Sequence, residues 1–561
     1  MPSSLSRRRL LRLAALAAAG STLAPARRVL ANEPFDLVVR GGTLLDGSGA
    51  PGFPADLGLV GDTIRAIGEI SAEQGRRVVE AAGLHVCPGF IDMHSHSDDS
   101  ILRYPGAESR VMQGITTEVT GNCGESAAPL FGRSRSWRVE SMRQNLGIEA
   151  GWTDVASYLE ALEARGLAVN QALLLGQGSL RESVVGEQDR SATTEEIGAL
   201  VRAVEEGMEQ GAWGLSTGLE YTPGLFTPTA ELVEMTAAVA RRGGLYASHL
   251  RNEEAGLLAA VDEALEIGRR TGARVEISHL KAAGRPNWDL QDAAIGALER
   301  ARSQGLDVLA DAYPYSAYST GLTILLPARI RDGGSTAMLE RLSDPAIRAR
   351  LRGELTERIA VDPGGPELIR IASVATEVNR RLVGRTLADL AAEWGTDAAS
   401  AAIDLLRVEQ GSVAYIGFAM SEENVERVLS HPLVMIGTDG NALAPTGPAA
   451  SWKPHPRCYG SCARVLGHYA RERGLFDLAT AVRKMTAMPA DHLGLADRGR
   501  LEVGRKADLV LFDAGGIADL ATFDDPHRYP AGIRHVLVNG EPVVADGAPL
   551  GTRPGRALRS V

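Results

Sequence analysis

From Val86 onward, short apolar runs alternate with longer helical stretches, and this alternation limits the fold more than any other feature of the chain. Runs at 86–93, 115–120, 172–176, 214–217, 245–248, 275–278, 308–310 and 433–437 read as strands. Stretches 194–210, 229–242, 255–271 and 289–304 read as helices between several of them. Strands apolar on both faces and joined by helical crossovers belong to a parallel sheet covered on both sides. Eight of them predict an α/β fold built on a (β/α)8 TIM-like barrel. With 561 residues the chain has room for more than the barrel. Segments 35–79, 507–513 and 535–544 are rich in strand and turn residues, so 32–85 and 500–555 are expected to form one small β-sandwich from both termini. The barrel then spans 86–499, with an insertion at 327–412 before the last strand and over the barrel mouth.

Enzymes of this architecture place reacting groups where strands end, on the C-terminal face. The first apolar run feeds VCPGFIDMHSHS, so His94 and His96 project together if the strand stays extended. Taken alone, a histidine is more often a hydrogen-bonded core residue. Here Cys123 follows the second strand in TGNCG, and His249 ends the fifth in YASHLRNE. His279 ends the sixth in EISHLKAAG, and Asp439 ends the eighth in MIGTDG. Core packing gives no reason for six such donors at strand ends; a metal centre does.

GFIDMHSHSD, the strand-end histidines and Asp439 resemble the amidohydrolase superfamily. TGNCG, SHLRNE, ISHLK, DAYPYSAYST and HPRCYGSCARVLG are similar to its N-acyl-D-amino-acid deacylase (D-aminoacylase) family, over essentially the whole mature chain. The resemblance implies that Cys123, His249 and His279 hold one tightly bound Zn2+, with Cys123 where many relatives carry a bridging carboxylated lysine. His94, His96 and Asp439 would surround a second, weaker site. It implies hydrolysis of N-acyl-D-amino acids to a carboxylate and a free D-amino acid, by attack of metal-bound hydroxide with Asp439 as proton shuttle. Arg457, Lys281, Ser319 and either Tyr313 or Tyr315 would clamp the substrate carboxylate. The loop 320–326 and the insertion would line the side-chain pocket.

The spacer between Asp439 and Arg457 is longer than the family pattern, and Cys458 and Cys462 replace larger residues there. Rival functions are a cyclic amidase of the dihydroorotase or hydantoinase type, a peptidase acting on capped or D-residue peptides, and a non-catalytic scaffold. Cys123 argues against the first, and the full donor set against the last.

Net charge is −11, and no basic stripe interleaved with aromatics is present, which argues against nucleic acid. The substrate is expected to be a small N-acyl amino acid. Residues 1–31, with SRRRLL before an alanine-rich apolar run, resemble a twin-arginine signal and predict export to the periplasm or beyond. Its loss leaves no stable membrane span and removes six arginines and no acid. Cys87 reads as a buried core thiol, and a bridge between Cys458 and Cys462 is disfavoured if their segment is helical. No feature of the chain sets an oligomeric state.

Overall fold

Eight parallel strands run in consecutive order around the centre of the molecule. They are Phe90–Asp92, Ile115–Thr120, Asn170–Gly176, Gly214–Gly218, Leu245–His249, Arg274–Ile277, Val308–Ala312 and Val434–Ile436. The structure is a computed structural model and describes residues 34–560; the twin-arginine signal expected over 1–31 lies outside them. Side chains alternate along each strand. Ile91, Met93, Val119, Ala172, Leu174, Leu245, Ala247 and Met435 meet inside the barrel. Their neighbours Phe90, Leu173, Leu175, Tyr246, Val275, Val308 and Val434 pack outward against the helices. The ring closes just beyond the first and last strands. Ser95 bridges Gly440, His96 N–H donates to Gly440 C=O at 2.8 Å, and Asp439 N–H donates to His94 C=O at 2.7 Å. Closure thus fixes His94, His96 and Asp439 relative to one another.

The run expected as one strand over 86–93 divides in two. His85–Pro88 pairs antiparallel with Leu509–Phe512 in the terminal sheet, and the barrel begins only at Phe90. Gly89 permits the change because a Cβ there would lie 2.1 Å from Thr116 Oγ1. The terminal sheet has nine strands drawn from both ends of the chain and reaches Pro88, slightly past the expected limit at 85. Leu509 and Leu511 pack with Leu37, Val39, Leu57 and Leu59 on one face, while Val510 and Phe512 join the barrel's outer core. Its far edge returns to the segment before Leu509, where Ala507 N–H donates to Asp62 C=O at 2.7 Å. The tail strand Ala557–Leu558 leaves this sheet and pairs with barrel strand Asn170–Gly176.

The insertion is wider than the expected 327–412. Its antiparallel sheet joins Tyr318–Gly321, Val413–Gly417 and Ile369–Val374, and helices including Pro345–Val361, Leu387–Trp394 and Ala398–Val408 pack on it. Leu351, Leu355, Ile371, Leu390, Ile403 and Tyr415 give this lobe its own core. Pro345 opens the longest of these helices, capped by Asp344, whose carboxylate accepts from Ala346 N at 2.7 Å and Ile347 N at 3.0 Å. All four cysteines are free and buried. Among the described residues no helix is long and apolar enough to cross a membrane.

A buried polar network ties the first, second and eighth strands together. Arg110, fully enclosed, lies 3.1 Å from Glu118 and donates to Thr438 Oγ1 at 3.0 Å. Glu118 also accepts from Ser95 and Ser97, at 2.6 and 2.7 Å, and Thr438 N–H donates to Asp92 at 2.8 Å. Removing one partner leaves an unpaired buried charge, so Arg110→Met is expected to lower stability by about 3 kcal/mol. Equilibrium denaturation of the variant measures this; an unchanged midpoint would contradict it.

Candidate metal centre

Three of the strand-end donors sit in the left-handed backbone region that non-glycine residues avoid: Cys123 at φ 52°, His279 at 35° and Asp439 at 51°. Each such residue costs roughly 1–3 kcal/mol and persists where the surroundings over-determine it. At Cys123 the determinants are visible. Asn122 Nδ2 donates to Val119 C=O at 2.9 Å and Met93 C=O at 3.3 Å, and Ser216 Oγ accepts from Gly124 N at 3.0 Å. The turn is locked and the thiol points to the barrel axis.

The six residues expected at the site come together there. Cys123 Sγ is 3.2 Å from His94 Nε2 and 3.5 Å from His279 Nε2. Asp439 Oδ1 is 3.1 Å from His96 Nε2 and 3.7 Å from His94 Nε2. The His249 and His279 rings meet edge to face with centroids 4.5 Å apart. The grouping differs in detail from the expected triad of Cys123, His249 and His279. Cys123 and His279 close with His94, while His279 and His249 close with Glu253. Glu220 lies 3.3 Å from His249 Nε2, and the buried Nδ1 of that imidazole has no hydrogen-bond partner among the described residues. His94, His96 and Asp439 form the other set.

Carboxylates that the sequence did not single out orient the imidazoles. Asp311, ending the seventh strand, lies 3.2 Å from His94 Nδ1, and Glu253 lies 2.9 Å from His279 Nδ1. Both leave Nε2 facing Cys123. A carboxylate on the outer ring nitrogen fixes the tautomer and raises ligand basicity, a recurrent arrangement around metal-binding histidines. A thiolate with imidazoles and one carboxylate suits Zn2+, so the donor set fits that ion.

The electrostatics agree. Burial opposes ionisation of Cys123, but His94 and His96 outweigh it and hold the thiol well below its ordinary range. Burial likewise opposes the charge on Asp439, and the Arg457 guanidinium, with His94, holds it well below the usual carboxylate range. Burial pulls His96 and His249 down, yet Cys123 and Asp439 lift the first to about 10, and Glu253, Cys123 and Glu220 the second to about 10. Without metal the cluster therefore holds protons that an ion must displace. Zinc binding is expected to release protons and to weaken as pH falls. A chelator competition repeated from pH 8 to 6 tests this, and a pH-independent affinity would refute it.

Of the expected substrate-binding residues, Arg457, Tyr313, Lys281 and Ser319 border the site. Arg457 Nη1 is 2.7 Å from Asp439 Oδ2, its guanidinium lies 4.8 Å above the Tyr313 ring, and Nη2 donates to Ser319 C=O at 3.2 Å. Arg457 Nε and the Tyr313 hydroxyl are buried without hydrogen-bond partners among the described residues. Burial pushes Tyr313 up to about 12, so its hydroxyl stays a donor. Lys281 is already engaged, 2.5 Å from Glu253 and 3.0 Å from His279 Nδ1. Positive φ at His279 means that this approach does not follow extended-strand parity. Tyr315 stands apart, packed against His455 and Phe523 beneath Arg464. His455, two residues before Arg457, was not anticipated. Its Nδ1 accepts from Arg457 N at 3.0 Å, and Nε2–H donates to Ala317 C=O at 2.9 Å, which makes it a neutral strut. A cleft of about 750 Å³ opens over the centre, with Ser319, Thr320, Thr323, Ala372, Ser373 and Ala414 of the lobe on one wall.

An eight-stranded parallel barrel with thiol, imidazole and carboxylate donors at its C-terminal face defines a metal-dependent hydrolase of the amidohydrolase class. Residues 77–544 match the model of the amidohydrolase family (Amidohydro_3). The chain is 40% identical to N-acyl-D-glutamate deacylase of Alcaligenes xylosoxydans xylosoxydans, covering 94% of this chain and 97% of that one. It is 39% identical to D-aminoacylase of the same organism, covering 94% and 98%. A crystal structure of N-acyl-D-glutamate deacylase from Bordetella bronchiseptica, complexed with zinc and a phosphonate mimic of the tetrahedral intermediate, superposes with a TM-score of 0.80 at 38% identity, covering 94% of this chain and all of that one. The chain belongs to the amidohydrolase family, in its N-acyl-D-amino-acid deacylase branch.

Proposed function

We propose that the protein is a zinc-dependent hydrolase of N-acyl-D-amino acids, releasing a carboxylate and a free D-amino acid. The observation that carries this is the convergence of Cys123 with four histidines and Asp439 at the barrel mouth, beside donors of Arg457 and Tyr313 that have no partner among the described residues. When bound, zinc supplies Lewis acidity toward the amide carbonyl and acidifies water. Asp439 takes a proton from the attacking water and returns it to the departing nitrogen as the C–N bond breaks, so one water is consumed per amide. Arg457 Nε and the Tyr313 hydroxyl receive the substrate carboxylate, which competes with Asp439 for the guanidinium. Lys281 adds positive charge while Glu253 holds it in place.

The lobe wall is small and uncharged, which supports an uncharged amino-acid side chain, unlike the glutamate of the relative's name. A cyclic-amidase reading is disfavoured because a thiol, not a lysine amine, stands between His94 and His279. We also propose export: the leader carries the arginine run, and Arg8→Lys with Arg9→Lys should retain the protein in the cytoplasmic fraction. Unaltered export of that variant would contradict it.

The functional test is amine release by the zinc-loaded protein from matched N-acetyl-D- and N-acetyl-L-amino acids, with leucine, methionine and glutamate side chains. Turnover confined to the D-series and highest for leucine or methionine is expected; equal turnover of the L-series, or none at all, would overturn the reading. Arg457→Ala should raise KM for carboxylate substrates roughly 10- to 100-fold while affecting carboxamide analogues far less. An equal penalty on both would remove Arg457 from the clamp.

A further inference from the structure

His249 ends the fifth strand, and two residues that follow the fourth strand, Gly214–Gly218, meet its ring. Glu220 Oε2 lies 3.3 Å from His249 Nε2, and the Tyr221 ring packs on the imidazole with centroids 4.6 Å apart. Apart from His249 itself, the polar partners of both side chains come from the inserted lobe among the described residues. Tyr221 Oη lies 3.0 Å from Thr320 Oγ1 on the lobe strand Tyr318–Gly321. Arg358, on helix Pro345–Val361, places Nη2 3.8 Å from Glu220 Oε1. Arg331, ending the short helix Ala328–Arg331, donates from Nη1 to Glu220 C=O at 2.8 Å. Two lobe arginines thus grip one residue, by its side chain and by its main chain.

The grip is itself anchored. Arg358 also pairs with Glu254, the neighbour of the Glu253 that meets His279, and lies 3.5 Å from Asp362. Asp362 accepts from the Tyr318 hydroxyl at 2.9 Å, and Tyr415 Oη lies 2.9 Å from that hydroxyl. Tyr318 and Tyr415 belong to the lobe's own core. Arg331 acts through one charge-assisted hydrogen bond to a carbonyl, so its replacement leaves the Arg358 ion pairs in place. A carboxylate behind a metal-binding imidazole fixes the orientation of the ring. Resting on the zinc-hydrolase reading, we propose that Arg331 is a positioning residue for the metal centre. The lobe, through Arg331, Arg358 and Thr320, holds Glu220 and Tyr221 against His249 and so sets the orientation of that imidazole. The lobe that walls the cleft thereby also tunes the metal affinity of the barrel.

The test measures zinc affinity of the metal-stripped full chain by chelator competition, together with the visible absorption of the Co2+-substituted protein, which reports coordination geometry. Arg331→Met is expected to weaken zinc about 10- to 100-fold, as removal of an outer hydrogen-bond partner does, and to shift the Co2+ bands. Arg331→Lys, which can still donate to the carbonyl, should recover most of the affinity. Thr320→Val keeps the shape of its side chain, should weaken zinc in the same direction, and carries the test should Arg331→Met fail to fold. In a Glu220→Ala background, where no carboxylate reaches His249, Arg331→Met should cost less than about threefold more, since residues acting in series are not additive. Wild-type zinc affinity and Co2+ spectrum in folded Arg331→Met and Thr320→Val, or full additivity with Glu220→Ala, would overturn this inference and leave the deacylase reading standing. A wild-type protein that binds no zinc would overturn both.

Discussion

Cys123→Ala is expected to lose at least ~100-fold in zinc affinity, beyond the ~10–100-fold typical when only an outer hydrogen-bond partner is removed, and to lose turnover with it. Cys123 Sγ lies within 3.5 Å of both His94 and His279 and is the only sulfur in the donor sets found among the described residues. Its removal takes away the thiolate that meets both His94 and His279 and leaves the ion to imidazoles and carboxylates. The variant should fold, because Asn122 and Ser216 hold the turn through contacts with backbone rather than with the thiol. Metal analysis of the purified variant decides the matter. Undiminished zinc in a folded Cys123→Ala protein would contradict the assignment.

Asp439→Asn is expected to keep zinc and lose kcat by roughly 10²- to 10⁴-fold, the range for a displaced general acid–base group. The amide preserves the size of the side chain, and the backbone N–H that holds this turn to His94 is untouched. What disappears is the carboxylate that Arg457 and the histidines keep ionised. A Michaelis constant near the wild-type value with a collapsed kcat is the expected pattern. Near-wild-type kcat would exclude Asp439 as the proton carrier.

The six candidate donors were legible in the sequence because each is a polar interruption at or near the end of an apolar run, while the count of eight barrel strands was guided in part by the family resemblance. His249 after LYAS and His279 after VEIS have no role in a strand core, and the repetition made them conspicuous. The carboxylates behind them were not legible. Asp311 and Glu253 are single acids near strand ends, and only distance separates them from ordinary surface residues. Tyr313 and Tyr315 could not be told apart for a local reason. Tyr315 N–H turns back to Tyr313 C=O at 3.0 Å, so the backbone bends between them and sends the rings to different surroundings. The break at Gly89 was hidden because Val86–Ile91 is apolar throughout, and only the close approach to Thr116 separates the two strands. The lobe's edge strands are short, and Tyr318–Gly321 reads as a continuation of DAYPYSAYST.

The most direct measurement is a zinc titration of metal-stripped protein, with hydrolysis of an N-acetyl-D-amino acid and of its L-enantiomer followed at every addition. The account predicts activity toward the D-substrate alone, rising from background and saturating near one equivalent. Zinc that binds at that stoichiometry without producing D-selective hydrolysis would contradict it.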